Sequence, residues 1–205
     1  RRQRQMCIRD RPTWLRARVP GGQRFENLKQ LVRSQQLHTV CEEARCPNVG
    51  ECWNAGEATF MILCDTCTRA CGFCAVTSGK PGSVDRLEPF RLATTVEQMG
   101  LDYCVITSVN RDDVPDGGAE IFAGCIRAIR SRTPHVEVEV LIPDFCGNWD
   151  ALGVVMDAKP DTLNHNIETV RRVFRRVRPK GDYDQSLELL AKSRELDPIA
   201  VTKSG

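Results

Sequence analysis

Between Glu57 and Gly205 short apolar runs alternate with stretches of helical periodicity, and no other feature limits the fold as much. EATFMIL, YCVITS (103–108), VEVEVLIP and DTLNHN read as strands, and PIAVTKSG opens as another. Between them LATTVEQMG sets Leu92, Thr95, Val96 and Met99 on one helical face, with Gly100 as its stop. GAEIFAGCIRAIRSR does the same with Ile121, Phe122, Cys125, Ile126 and Ile129, and NWDALGVVMDA and SLELLAKSREL are the remaining helices. Near-continuous apolar strands separated by helices imply a parallel sheet with covered faces, either doubly wound or a partial barrel. In both, the functional site belongs at the C-terminal ends of the strands. Upstream, RFENLKQLVRSQQL spaces Phe25, Leu28, Leu31 and Val32 as an amphipathic helix, preceded by an extended PTWLRARVPGG.

A chain of 205 residues suits one domain with a small appendage. Its formal charge of +2 supplies no global field for nucleic acid or membrane binding. No apolar run approaches the ~18 residues of a spanning helix. The basic RRQRQMCIRDR lacks the apolar middle of a secretory signal and reads as an assembly scar or targeting remnant. The expected organisation is a tail at 1–11, an N-terminal extension at 12–57 and the α/β sheet domain at 58–205. A chain with no signal and eleven cysteines, an odd number, fits a reducing compartment, cytoplasmic or organellar, where clustered thiols bind metal.

Seven of those cysteines fall between positions 41 and 74. Cys67, Cys71 and Cys74 form C-x3-C-x2-C in the loop leaving the first strand. Three thiolates can hold a four-iron cluster and leave its fourth iron open to a non-protein ligand. With Cys64 the same stretch could close a four-thiol zinc site, and spacing alone leaves that open, although the asymmetric triplet favours iron and sulfur. A second set, Cys41, Cys46 and Cys52, has C-x4-C-x5-C spacing.

CTRACGFC resembles the signature of the radical S-adenosylmethionine enzymes, and C-x4-C-x5-C is similar to the auxiliary-cluster motif of the lipoyl synthase family within them. The likeness extends through PTWLRARVPGG, CPNVGECW, GEATFMIL, TSVNRDDVPDGGA, VLIPDF and NHNIETV. It implies an α/β fold, a parallel partial (β/α) barrel of the radical SAM type with a cysteine-rich N-terminal extension. It further implies two 4Fe-4S clusters, one on Cys67, Cys71 and Cys74 that binds S-adenosyl-L-methionine, and an auxiliary one on Cys41, Cys46 and Cys52. The implied reaction is insertion of sulfur at C6 and C8 of a protein-bound octanoyl group, with chemistry at the clusters and no catalytic side chain. The implied partners are an octanoylated lipoyl carrier domain or glycine-cleavage H protein and a reducing donor such as ferredoxin or flavodoxin. The family pattern continues past TKSG to an Arg-Ser-Ser-Ser motif whose serine ligates the auxiliary cluster, so a C-terminally incomplete chain is expected.

The resemblance also places Phe73 near the adenine, Ser108, Gly117 and Gly118 near the methionine portion, and Asn164 and Asn166 near the ribose. Each has a plainer reading: packing for Phe73 and a hydrogen-bonded turn around His165. Asp112, Asp113 and Asp116 read as caps of the next helix. Arg171, Arg172, Arg175, Arg176 and Arg178 in TVRRVFRRVRP are either a solvated face or a dock for an acidic carrier, with Arg178 nearest the strand ends. Cys7, Cys104, Cys125 and Cys146 read as structural. Alternative functions are another radical enzyme with an auxiliary cluster, or a non-catalytic zinc module.

Overall fold

The computed structural model describes residues 23–43, 46 and 48–205. The tail at 1–11 with Cys7, and the extended stretch 12–22, lie outside the described residues. In chain order the helices are α1 (Gln23–Ser34), α2 (Val40–Glu43), α3 (Val49–Asn54), α4 (Glu88–Met99), α5 (Ala119–Arg132), α6 (Trp149–Asp157), α7 (Arg171–Val177) and α8 (Tyr183–Leu196). The strands are β1 (His38–Thr39), β2 (Glu57–Ile62), β3 (Thr66–Cys67), β4 (Thr77–Ser78), β5 (Tyr103–Ser108), β6 (Glu137–Leu141), β7 (Thr162–Asn164) and β8 (Val201–Lys203).

Six strands make one sheet in the order β1-β2-β5-β6-β7-β8, parallel throughout except for the short β1, which runs antiparallel to β2. The order of the parallel strands follows the chain without a reversal. Right-handed crossovers then place every connecting helix on one face, as a barrel requires and a doubly wound sheet does not. Register sorts the side chains. Phe60, Ile106, Val140 and Leu163 form a row across the sheet, all fully buried beneath the helices. Met61, Thr107, Leu141, Asn164 and Lys203 form the adjoining row on the opposite, inner face.

The helices form where their apolar stripes predict. Leu92, Thr95, Val96 and Met99 are buried, and Gly100 ends α4 in the left-handed region at φ +61°. α4 starts four residues before Leu92 because Pro89 suits the first turn. Asn148 caps α6 by accepting from Ala151 N–H at 3.1 Å, and Asp182 caps α8 through Asp184 and Gln185. α1 stops at Ser34, short of the expected 37, and its Leu28 and Val32 join the same core as the sheet. Trp53 on α3 is buried there against Phe25, with ring centroids 5.2 Å apart. Cys104 and Cys125 are fully buried structural thiols, but Cys146 is exposed in a 3-10 turn at φ +53°.

Candidate functional site

β2 ends on two consecutive residues in the left-handed region, Leu63 at φ +66° and Cys64 at φ +86°. Side chains with a Cβ adopt such conformations only when their surroundings enforce them. Two buried charged groups do so here. Glu88 on α4 accepts the Leu63 N–H at 3.0 Å, and Arg111 donates through Nη1 to the Leu63 carbonyl at 3.2 Å. Burial pushes the Glu88 carboxyl up, against the pull of that N–H. The turn sends CTRACGFC across the C-terminal ends of the strands.

Within this loop Cys67 is buried, and its sulfur receives N–H groups from Arg69 at 3.4 Å and Asn110 at 3.3 Å. Such contacts to sulfur are among the means by which proteins tune thiolate ligands. Burial raises the half-buried Cys71 thiol while the Arg178 guanidinium draws it down. Cys74 is exposed. All three border one cleft of about 340 Å³ at the strand ends, together with Phe73, Ser108, Asn110, His165, Asn166 and Arg178. Among the described residues no group of three or more His, Cys, Asp or Glu side chains is arranged to hold a single metal ion. Cys64 points its thiol at the Thr66 carbonyl, 3.4 Å away, as a structural group would.

The main anchor of the loop is Arg69, which sits between Cys67 and Cys71 and is only 5 % exposed. Its fork donates through Nη1 and Nη2 to the two Asp144 oxygens, both at 2.7 Å, and its Nε to Asp112 at 2.9 Å. Burial opposes all three charges. Arg69 nevertheless holds both carboxyls below their usual range, and they raise the guanidinium. This corrects the reading of the three aspartates as caps. Only Asp116 caps α5, accepting from Gly118 and Glu120; Asp112 pairs with Arg69, and Asp113 with Arg111 at 2.8 Å. The sequence reading missed Arg69, Asp144, Glu88 and Arg111; the charged residues inside CTRAC, NRDD and PDF were the available signal for all but Glu88.

The remaining expected residues separate into two groups. Ser108 and Asn110 face the cleft, and Ser108 Oγ and Asn110 Oδ1 are buried with no hydrogen-bond partner among the described residues. Buried polar atoms are nearly always satisfied, so these two fit a polar ligand in the cleft. Asn166 and Arg178 border it too, with Arg178 Nη1 donating to the Asn166 carbonyl at 2.6 Å. Arg178 is buried, unlike Arg171, Arg172, Arg175 and Arg176, which are exposed on α7. Asn164 lies deeper and donates to Glu139 at 3.0 Å, beside Tyr103 and Lys203, which also reach that carboxylate. His165 donates from Nδ1 to the Ile142 carbonyl at 2.9 Å, and burial lowers its pKa, keeping the ring neutral.

Gly117 and Gly118 do not border the cleft. A Cβ on Gly118, at φ +91°, would lie 2.1 Å from Leu63 Cδ1, and one on Gly117 would lie 2.9 Å from the Phe145 ring. Their requirement for glycine comes from packing. Upstream, Cys41 and Cys46 border a separate cavity of about 530 Å³ with Lys29, Arg33 and His38. Cys52 does not border that cavity, and its thiol is raised by burial first, then by Glu57, Cys41 and Cys46.

The family model described as the Radical SAM superfamily matches residues 61–202, and that of the N-terminal domain of lipoyl synthase matches residues 1–46. A lipoyl synthase of Chloroflexus aggregans is 60 % identical over 95 % of this chain, and one of Rubrobacter xylanophilus 59 % over 95 %. The chain spans 64 % and 61 % of their respective lengths. Among solved structures, methylornithine synthase has a TM-score of 0.56 at 12 % identity, over 88 % of this chain and 50 % of its own. The hydrogenase maturase HydG has a TM-score of 0.54 at 14 % identity, over 100 % and 48 %. At these identities the likeness to the solved structures is one of fold.

Proposed function

The chain belongs to the radical SAM superfamily, and from that premise we propose that it forms the radical-generating part of a lipoyl synthase. Superfamily membership brings a 4Fe-4S cluster and S-adenosylmethionine. The observation that carries the reading is the convergence of Cys67, Cys71 and Cys74 on one cleft whose walls present unpartnered Ser108 Oγ and Asn110 Oδ1. In this reading the three thiolates hold the cluster, and when bound it supplies the electron that splits the sulfonium of S-adenosylmethionine. Ser108 Oγ, Asn110 Oδ1 and the Asn166 amide supply hydrogen bonds to the polar parts of the ligand. Phe73 offers a ring face, and Met61, Leu141 and Ile142 keep water from the reacting atoms.

Cys41, Cys46 and Cys52 are proposed to hold the auxiliary cluster; the likeness to lipoyl synthases supports this, and Cys41 and Cys46 border a second cavity. The proposed substrate is an octanoyl group on a carrier protein, into which sulfur is inserted. The likeness to lipoyl synthases supports that substrate. A reducing, cytoplasm-like compartment suits ten described cysteines that are all free. No described helix is long and apolar enough to cross a membrane.

The test is anaerobic reconstitution with iron and sulfide, followed by assay of 5'-deoxyadenosine with dithionite as reductant. Replacing Cys67, Cys71 or Cys74 with Ala should abolish cleavage, and Cys64→Ala should leave most of it. Equal loss from all four replacements would favour a four-thiol site and remove the reading.

A further inference from the structure

We propose that the face of α7 carrying Arg172 and Arg176 docks an acidic one-electron carrier protein; this rests on the iron–sulfur reading of the thiol loop. α7 packs four arginines and no acid into seven residues, RRVFRRV. Two are already engaged. Arg171 pairs with Asp184 and lies over the Tyr183 ring at 4.6 Å, and Arg175 faces Asp182 at 3.6 Å. Arg172 and Arg176 are one turn apart, so they share a face; both are exposed, and neither pairs with an acid among the described residues. Buried Phe174 fixes the helix beneath them, edge-on to Tyr183 at 5.5 Å. The unspent charge is therefore presented from a rigid element.

Position selects the occupant. The C-terminal end of α7 is bonded to the thiol loop: Gly72 N–H donates to the Val177 carbonyl at 3.0 Å. A Cβ on Gly72 would lie 3.9 Å from the carbonyl oxygens of both Arg176 and Val177. From Gly72 to Lys80 the loop is exposed apart from half-buried Val76, and Phe73 is 53 % exposed. Exposed Lys180, whose Nζ donates to the Thr68 carbonyl at 3.2 Å, lies on the same side, although its charge is partly engaged by Asp112 at 3.8 Å. Here the thiol loop reaches solvent, and its border is cationic. A carrier that gives up one electron needs closeness to the loop and nothing else, since no atom or proton crosses with the electron. The carrier's own cofactor is oxidised by one electron, and the iron–sulfur group on the loop is reduced by one. Such encounters are small, transient and steered by charge, so they weaken with salt.

The test uses the charge-reversed double variant Arg172→Glu, Arg176→Glu and an acidic flavodoxin as probe. Binding of the oxidised flavodoxin to the chain without iron should weaken about tenfold at low salt and converge with the parent at high salt. In the reconstituted chain, 5'-deoxyadenosine formation driven by reduced flavodoxin should fall in the same ratio, while the dithionite-driven rate stays level. Unchanged flavodoxin binding overturns the proposal. So does weakened binding of an octanoylated carrier domain with flavodoxin unaffected, which gives the surface to the substrate carrier. Absence of product with dithionite would overturn the iron–sulfur reading separately, and binding to the iron-free chain would still decide the docking surface.

Discussion

Arg69 is the side chain on which the thiol loop depends most directly. It links a loop between two cysteines to Asp144, whose side chain is 1 % exposed, and to Asp112. Removing one partner of a buried pair strands the other charge, at a cost of roughly 3–5 kcal/mol. Arg69→Met should therefore lower the unfolding free energy of the iron-free chain by about that much, measured in urea. Arg69→Lys should recover only part, because an ammonium cannot make the two parallel bonds to Asp144. A change below about 1 kcal/mol for Arg69→Met, the range of an exposed pair, would show that the pair contributes little. Cys146, 3.2 Å from Arg69 Nη2, has its thiol raised by burial and by Asp112 against the pull of the Arg69 guanidinium.

The turn that joins β2 to the thiol loop packs against the start of α5, and Gly118 makes the approach possible. Gly118→Ala forces a Cβ onto Leu63 at a backbone angle suited to glycine and should cost about 1–3 kcal/mol in thermal or urea unfolding. Gly153→Ala in α6, where a Cβ meets nothing within 4 Å, should instead stabilise by about 0.5–1 kcal/mol. Comparable losses in both would mean that the Leu63 contact is not the cause. Elements with strong periodicity were legible from sequence: β5 runs over the expected 103–108, and α5 buries its expected stripe. α7 was read only as a charge run, although buried Phe174 and half-buried Val173 and Val177 recur at helical spacing beneath its arginines. β1, β3 and β4 have two residues each, too few to show alternation. The Arg69 anchors lie 43 and 75 residues away along the chain, so local patterns carried no trace of the pairing.

At the scale of the whole molecule, one hydrophobic core runs from Leu28 and Trp53 through the sheet to Leu189, while Cys67, Cys71 and Cys74 open on one cavity and Cys41 and Cys46 on another. Cys41, Cys46 and Cys52 are only half-buried, so replacing all three with Ala should leave the core intact. Such a variant should lose about half its reconstituted iron while keeping dithionite-driven 5'-deoxyadenosine formation, because the downstream set has its own ligands. Loss of 5'-deoxyadenosine formation together with the iron would merge the two sites into one. The thiol loop, meanwhile, is fastened to segments that follow three successive strands: Asn110 and Asp112 after β5, Asp144 after β6, and Val177 after β7. It works as a tie-rod across the open end of an arch. The sheet cannot flatten or splay without pulling on all of these fastenings at once, so the segment that presents the thiols also sets the span of the mouth through which any ligand must pass.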